Sequence, residues 1–257
     1  MTLSPDRNFD DLFDRFQSRI KNSAKGRLRE TMIREDLQAF IPNFATSHLN
    51  ILDAGCGLGD MSLWLAQQGH RLLATDISAK MVDTTRLRSF ESRLNQNIEV
   101  RQQSLQDILG QDHRFDLICI HAVLEWMGDP YSMLQLIPNC LRAGGYLSLT
   151  IYNRHRSIFN SLVKGNFRIA LAEDFGSNNP HSMTPPQPID PDRVRTMLLN
   201  LGFKIEVQAG LRLFYDLLPE QFKESCNYED VLLLERRYRH LSPFKDLARY
   251  IHFIARL

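Results

Sequence analysis

Cysteine is scarce in this chain, with four in 257 residues. Cys56, Cys119, Cys140 and Cys226 are widely scattered and form no CxxC pair. That spacing argues against a zinc site or a disulfide framework, so no metal is expected, and it points to a reducing, cytoplasmic compartment. Long apolar runs are also missing. No stretch approaches the roughly 18 residues needed to cross a bilayer, so no membrane partner is expected. The start, MTLSPDRNFDD, has no basic residues followed by an apolar run, and a secretory signal is not expected. HExxH, GxSxG and a P-loop lysine are absent, and with them the usual zinc-protease, serine-hydrolase and nucleotide-hydrolase constellations.

Net charge is nearly absent as well, at +1, but it is unevenly spread. Residues 37–136 hold 7 Lys/Arg against 11 Asp/Glu, whereas residues 137–257 hold 16 against 12. Positions 15–34 carry seven basic side chains and the single acid Glu30. An acidic middle flanked by basic ends suits a protein whose flanks meet a polyanion while its centre binds something else.

Composition, 43% hydrophobic and 24% charged, is that of a folded protein. Residues 7–41 read as helical, with Phe9, Leu12, Phe13, Phe16 and Ile20 spaced by three and four. LNILDAG at 49–55 is a short apolar run ending in glycine, the pattern of a buried parallel strand that enters a tight turn. A helix over 61–68, a strand ending at Asp76 and a helix capped by Ser78 follow. Strands are expected at IEVRQQS, FDLICIHAV and YLSLTIYN, with a helix over 131–141. Alternation of this kind calls for a parallel sheet with right-handed crossovers. After Asn153 regularity is expected to stop, because residues 154–191 contain Pro180, Pro185, Pro186, Pro188 and Pro191. A helix opened by Pro191, a strand at FKIEVQAG, a helix around 227–240 and a terminal strand close the chain.

Chemistry concentrates between Leu52 and Asp76. Gly55, Gly57 and Gly59 allow a sharp turn and a close backbone approach to a ligand. A dinucleotide fingerprint, GxGxxG, would place its third glycine at position 60, where this chain has Asp60. Asp53 precedes the turn and can receive a cationic amino group, where a pyrophosphate would be repelled. Both details favour the methionine end of S-adenosylmethionine. Asp76, 17 residues past Gly59, can accept both ribose hydroxyls. Ser104, Leu105, Gln106 and Asp107 follow the third strand, where an adenine edge would lie, and His121 ends the fourth strand beside the same crevice.

The glycine turn, Asp76 and LRAGG (141–145) resemble the class I methyltransferases. RNFDD (7–11), KGRLR (25–29), HAVLEW (121–126), Tyr152-Asn153, GNF (165–167) and RYIH (249–252) resemble the bacterial tRNA 5-carboxymethoxyuridine methyltransferases, in order and over nearly the whole chain. The resemblance implies a doubly wound, Rossmann-like α/β fold with a mostly parallel seven-stranded sheet. It implies one domain over 1–257, an N-terminal helical extension over 1–41 and a substrate-side cap insertion over 154–191. It further implies S-adenosylmethionine as cofactor, held by Arg29, Gly55, Cys56, Asp76, Leu105, Gln106 and His121. The partner would be the anticodon loop of tRNA, whose wobble carboxymethoxyuridine is methylated on its carboxyl group.

A carboxylate is already ionised at pH 7, so no catalytic general base is expected. Arg154, Arg156 and Arg212 are candidates to draw the substrate carboxylate in, and Tyr152 and Tyr215 to stack on the base. A methyltransferase for a small carboxylic acid remains the main alternative. A non-catalytic cofactor-binding module, a nicotinamide oxidoreductase and use of a carboxylated donor beside Arg29 also stay open.

Overall fold

Successive residues of the central strands send apolar side chains to opposite faces, which sets the layering. The computed structural model describes residues 6–15, 23–111, 113–176, 182–223 and 225–257. Its strands are β1 (Asn50–Ala54), β2 (Arg71–Asp76), β3 (Ile98–Gln102), β4 (Phe115–His121), β5 (Leu141–Tyr152), β6 (Lys204–Leu211) and β7 (Tyr250–Arg256). They form one sheet in the order β3-β2-β1-β4-β5-β7-β6. The pairs from β3 to β5 are parallel, while β7 runs antiparallel to both β5 and β6.

Ile51 and Leu117 point into one core, Leu52 and Ile118 into the other. The first core is covered by helices α1 (Ala24–Phe40), α2 (Asp60–Gln67) and α3 (Ala79–Glu91). On the opposite face lie α4 (Leu105–Leu109) and α5 (Pro130–Cys140). Next come α6 (Arg154–Val163) and α7 (Phe167–Ala172), then α8 (Pro191–Asn200), whose Val194 and Leu198 join the α5 face. The chain continues through α9 (Phe214–Leu217), α10 (Glu220–Lys223) and α11 (Tyr228–Tyr238), which packs Val231 and Leu232 beside α1. Helix starts follow side-chain capping: Ser23 accepts from Gly26 N, Ser78 from Met81 N, and Asp190 from the first turn behind Pro191.

Two expectations change. Residues 7–12 are not helical: Arg7 N donates to Trp126 O and Phe9 packs edge-on to Trp126, with ring centroids 4.7 Å apart. Tertiary contact satisfies the phenylalanine that the three-and-four spacing assigned to a helix face; residues 13–15 are helical as expected, and α1 begins behind Ser23. Phe16 and Ile20 lie outside the described residues. Nor does regularity end at Asn153, because its side chain accepts from His155 N and opens α6 at once. Residues 154–191 hold two helices and return to the sheet through a bridge between Asn153 and Ile189. Pro180 is outside the described residues.

Asp36 of α1 is almost fully buried and takes hydrogen bonds from two directions. Arg239, just past α11, is ion-paired to one oxygen, and the His252 ring of β7 meets the other at 2.7 Å. Removing one member of a buried pair strands the other charge, which typically costs about 3–5 kcal/mol. Arg239→Met should therefore lower stability in urea titration by about that amount. Adding Asp36→Asn, which removes the stranded charge, should restore part of the loss.

Candidate active site

The crevice opens where the strand order reverses, between β1 and β4, at the carboxyl ends of the parallel strands. Behind β1 the chain turns through Gly55 at φ 69° and Gly59 at φ 78°. A Cβ on Gly55 would stand 2.4 Å from a Val123 methyl, and one on Gly59 would stand 2.7 Å from a Thr85 methyl. Only glycine meets both the backbone angle and the space. Gly55 N and Cys56 N donate to Thr75 O, so the turn is stitched to β2.

The main cavity is walled by Gly55, Gly57, Asp76, Leu105, Gln106, His121 and Arg29. Asp76 accepts from Gly57 N at 3.0 Å and Ser78 N at 2.9 Å, and burial raises its pKa. Each oxygen keeps a further lone pair for a ligand. The Gln106 amide donates to Asp6 at 2.6 Å, while its own carbonyl oxygen is buried without a partner. An adjoining depression is lined by Asp53, Cys56, Glu30 and again Arg29 and His121. Asp53 accepts from Ser62 at 2.5 Å, and burial pushes its carboxyl up to about 6. Burial also pushes the Cys56 thiol well up.

His121 sits at the end of a buried polar chain. Its Nε2 is 2.8 Å from Ser148 Oγ, and that oxygen is 2.9 Å from His252 Nε2. Burial lowers both rings, His252 to about 3 and His121 well below its usual value, so both are neutral at pH 7. The Arg239-paired Asp36 carboxylate accepts, so His252 donates from Nδ1 and accepts from Ser148 at Nε2. Ser148 then accepts from His121 Nε2. The remaining nitrogen of His121, Nδ1, is left as an acceptor.

The sequence did not single out the strap over this cavity as such. Asp6 accepts from Gly128 N at 2.9 Å and from Gln106, and Asp10 accepts from Ser78 Oγ and Lys80 N. Phe9, Trp126, Met183 and Tyr250 complete the wall. The short matches RNFDD, HAVLEW and RYIH held that signal.

The five side chains read as meeting substrate are dispersed, and Arg156 is buried, donating to the backbone oxygens of Leu247 and Asp216. Tyr152 is buried, accepts from Arg249 at 2.8 Å and packs edge-on to Tyr250 at 5.5 Å. Arg212 pairs with Asp216 and lies 5.6 Å from the Tyr250 ring centre. Arg154 is bound to Glu173 and Asp190, and Tyr215 packs against the α1-side core. None of these candidates lines the cavity. Among the described residues, His155, Asp190 and Asp192 bring possible metal-ligand atoms within 4.8 Å of one another. Asp190 there is already occupied by Arg154 and the start of α8.

Comparisons with known proteins agree with this geometry. The family described as "Methyltransferase domain" matches residues 52–149. Magnesium protoporphyrin IX methyltransferase from Synechocystis PCC 6803, solved with bound S-adenosylhomocysteine, superposes with a TM-score of 0.65 at 15% identity, covering 96% of this chain and 95% of that one. The cyclase SpnF shares the fold with a TM-score of 0.60 at 13% identity, covering 99% of this chain and 98% of that one. The tRNA 5-carboxymethoxyuridine methyltransferase of Escherichia coli (strain K12) is 36% identical over 252 residues, 98% of this chain and 96% of the relative. A ubiquinone biosynthesis O-methyltransferase from Xanthomonas euvesicatoria is 30% identical over 162 residues, 63% of this chain and 65% of the relative.

Fold, site and relatives together define an S-adenosylmethionine-dependent methyltransferase. A crevice at the strand reversal, a glycine turn and two acceptors unspent by the protein suit that cofactor. Within the class, the chain belongs to the tRNA 5-carboxymethoxyuridine methyltransferase family.

Two outcomes follow for the cofactor end of the site. A buried carboxyl raised from 3.8 to about 6 favours the folded state below pH 3.8 and loses that advantage as pH rises through 6. Asp53→Asn should therefore gain stability over the parent between pH 4 and pH 7, by about 3 kcal/mol in the cofactor-free protein. Thermal or urea unfolding at several pH values reads this directly. Ser148→Ala cuts the chain behind His121 and should weaken S-adenosylhomocysteine binding about fivefold, the worth of one hydrogen bond. Ser148→Thr, which keeps a hydroxyl, should restore affinity in calorimetry; an unchanged Kd in the alanine variant would remove the positioning role.

Proposed function

We propose that this enzyme forms the methyl ester of 5-carboxymethoxyuridine at the wobble position of tRNA. The observation that carries the reading is the reach of the resemblance. Identity of 36% to the tRNA enzyme extends over 98% of the chain, far beyond the core at 52–149. Shared cofactor chemistry alone would not require likeness in the strap before α1 or in β7.

In this reading Asp76 accepts the ribose hydroxyls, and Leu105 and the free carbonyl of Gln106 meet the adenine. Asp53, the backbone of Gly55, Cys56 and Gly57, His121 Nδ1 and Arg29 serve the amino-acid end. The bound cofactor supplies a methyl group on a positively charged sulfur. A substrate carboxylate oxygen bonds to that methyl carbon as the carbon–sulfur bond breaks, with the electron pair passing to sulfur. No proton moves, which fits a site whose two histidines are neutral and committed to a fixed chain.

The protein contributes alignment, worth roughly 7–11 kcal/mol in well-oriented reactions, and exclusion of water. Residues 154–191, with α6 and α7, act as the cap in this single-domain enzyme, and residues 1–41 as an N-terminal extension that bears the strap. Tyr152 and Arg212, each beside Tyr250 of the cavity wall, would serve the reacting end. Arg154 and Tyr215 would serve at the rim, Arg154 by exchanging its present acids for substrate. The anticodon loop would approach over the basic flank, and the cytoplasm is where such tRNA is found. Among the described residues, no helix is long and apolar enough to cross a membrane.

Incubation with labelled S-adenosylmethionine and tRNA carrying 5-carboxymethoxyuridine, followed by nucleoside mass spectrometry, should show one added methyl on that nucleoside, removable by mild alkali. Cofactor binding without transfer to this tRNA would refute the substrate and turn the search to small carboxylic acids.

A further inference from the structure

Next to Tyr250 of the cavity wall, two of the sequence's candidate arginines, Arg156 and Arg212, join two cations that have had no role so far. Lys25 of α1, Arg156 of α6, Arg212 and Arg249 converge on Asp216. Arg212 and Arg249 each pair with its carboxylate, at 3.0 and 3.1 Å, and Arg156 donates to its backbone oxygen at 3.3 Å. Lys25 and Arg156 both have lowered pKa values, burial first among the causes, with neighbouring cations adding to it. Glu235 also lies near Asp216, but burial raises its carboxyl and it is taken up by Phe214 N. Four cations against Asp216 leave positive charge in surplus among the described residues.

Three further features mark this cluster as a binding site and not only a structural network. The Nε atoms of Arg156 and Arg212 are buried without partners. Arg212 holds a left-handed backbone at φ 63°, a strained conformation for a residue with a side chain, and such strain collects at functional sites. Its position is the third. Tyr152, Tyr250 and Leu211 pair across β5, β7 and β6, so the cluster sits at the carboxyl end of β5, next to the crevice. Tyr250 lines the cavity and has the Arg29 guanidinium 5.4 Å from its ring centre and the Arg212 guanidinium 5.6 Å away.

We propose that Lys25, Arg212 and Arg249 form the anchor for the carboxylate that is methylated, with the Tyr152 hydroxyl beside them and Arg156 fixing the floor through Asp216 and Leu247. Arg156 donates to the backbone oxygens of both residues and is 2% exposed, so it is a positioning residue. Asp216 has a purpose in this arrangement. By holding part of the donor capacity of Arg212 and Arg249, it lets them steer the incoming carboxylate without fully quenching its nucleophilic oxygen. Tyr250 becomes the partition between donor and acceptor sites. The inference rests on the carboxylate chemistry of the proposed function, and it adds the groups that select it.

A phosphate of the tRNA backbone could be held by the same cations, so the test uses nucleosides, which carry none. S-adenosylhomocysteine-loaded protein is titrated with 5-carboxymethoxyuridine and with 5-methoxyuridine, following chemical shifts and heats. The parent should bind the carboxylated nucleoside at least tenfold more tightly. Lys25→Met and Arg249→Met should each bring that ratio towards one while leaving S-adenosylhomocysteine affinity within about twofold. Equal binding of the two nucleosides by the parent, or a preference that survives both substitutions, overturns the anchor. A parent that prefers the carboxylated nucleoside yet never methylates it on tRNA refutes the proposed reaction and leaves the anchor standing. Undiminished tRNA methylation in both variants does the reverse.

Discussion

The buried carboxylate of Asp36 is the constraint on which the site depends. Out of water, it must be matched from every side, and its partners come from distant parts of the chain: Arg239 beyond α11 and His252 on β7. Meeting that demand pins α1 against the last strand. The same helix carries Lys25 and Arg29, about three and two turns before Asp36, so satisfying one carboxylate places two cations at the carboxyl end of the sheet. Through His252 and Ser148 the requirement continues to His121 and settles which of its nitrogens can accept.

A second consequence concerns the sheet. Strands β1 to β5 form a parallel platform with the crevice at its reversal, and this half would suit many nucleotide ligands. The antiparallel β7, inserted between β5 and β6, brings in Tyr250 and His252 from the end of the chain. One faces the cavity and the other anchors the polar chain, so the last strand completes a site begun by the first. The likeness to a cyclase shows that this architecture does not by itself fix the reaction, and the side chains at its edge must do so.

The local parts of this arrangement were legible in the sequence. The turn after β1 announces itself because only glycine tolerates its angles, and Asp76 and His121 are found by counting to strand ends. The strand pattern from β1 to β5 follows from short apolar runs between glycines. Long-range parts leave no such trace. Asp36 and His252 are 216 residues apart, and nothing in either neighbourhood names the other. Phe9 misled because its spacing fits a helix, while its real partner is Trp126 in another segment. Lys25 and Arg249 fall in the matched segments KGRLR and RYIH, but neither segment names Asp216, around which folding sets them.

The strap of Asp6 to Asp10 carries one more implication. It is fastened to Gly128, Gln106, Ser78 and Lys80, around the same opening that admits the cofactor. Any free energy the strap lends to a bound ligand is returned in equal measure, because such coupling is reciprocal. Loaded and empty enzyme must therefore differ in how firmly the beginning of the chain is held. Amide exchange or protease resistance in these few residues becomes a gauge of cofactor occupancy at a distance from the reacting atoms.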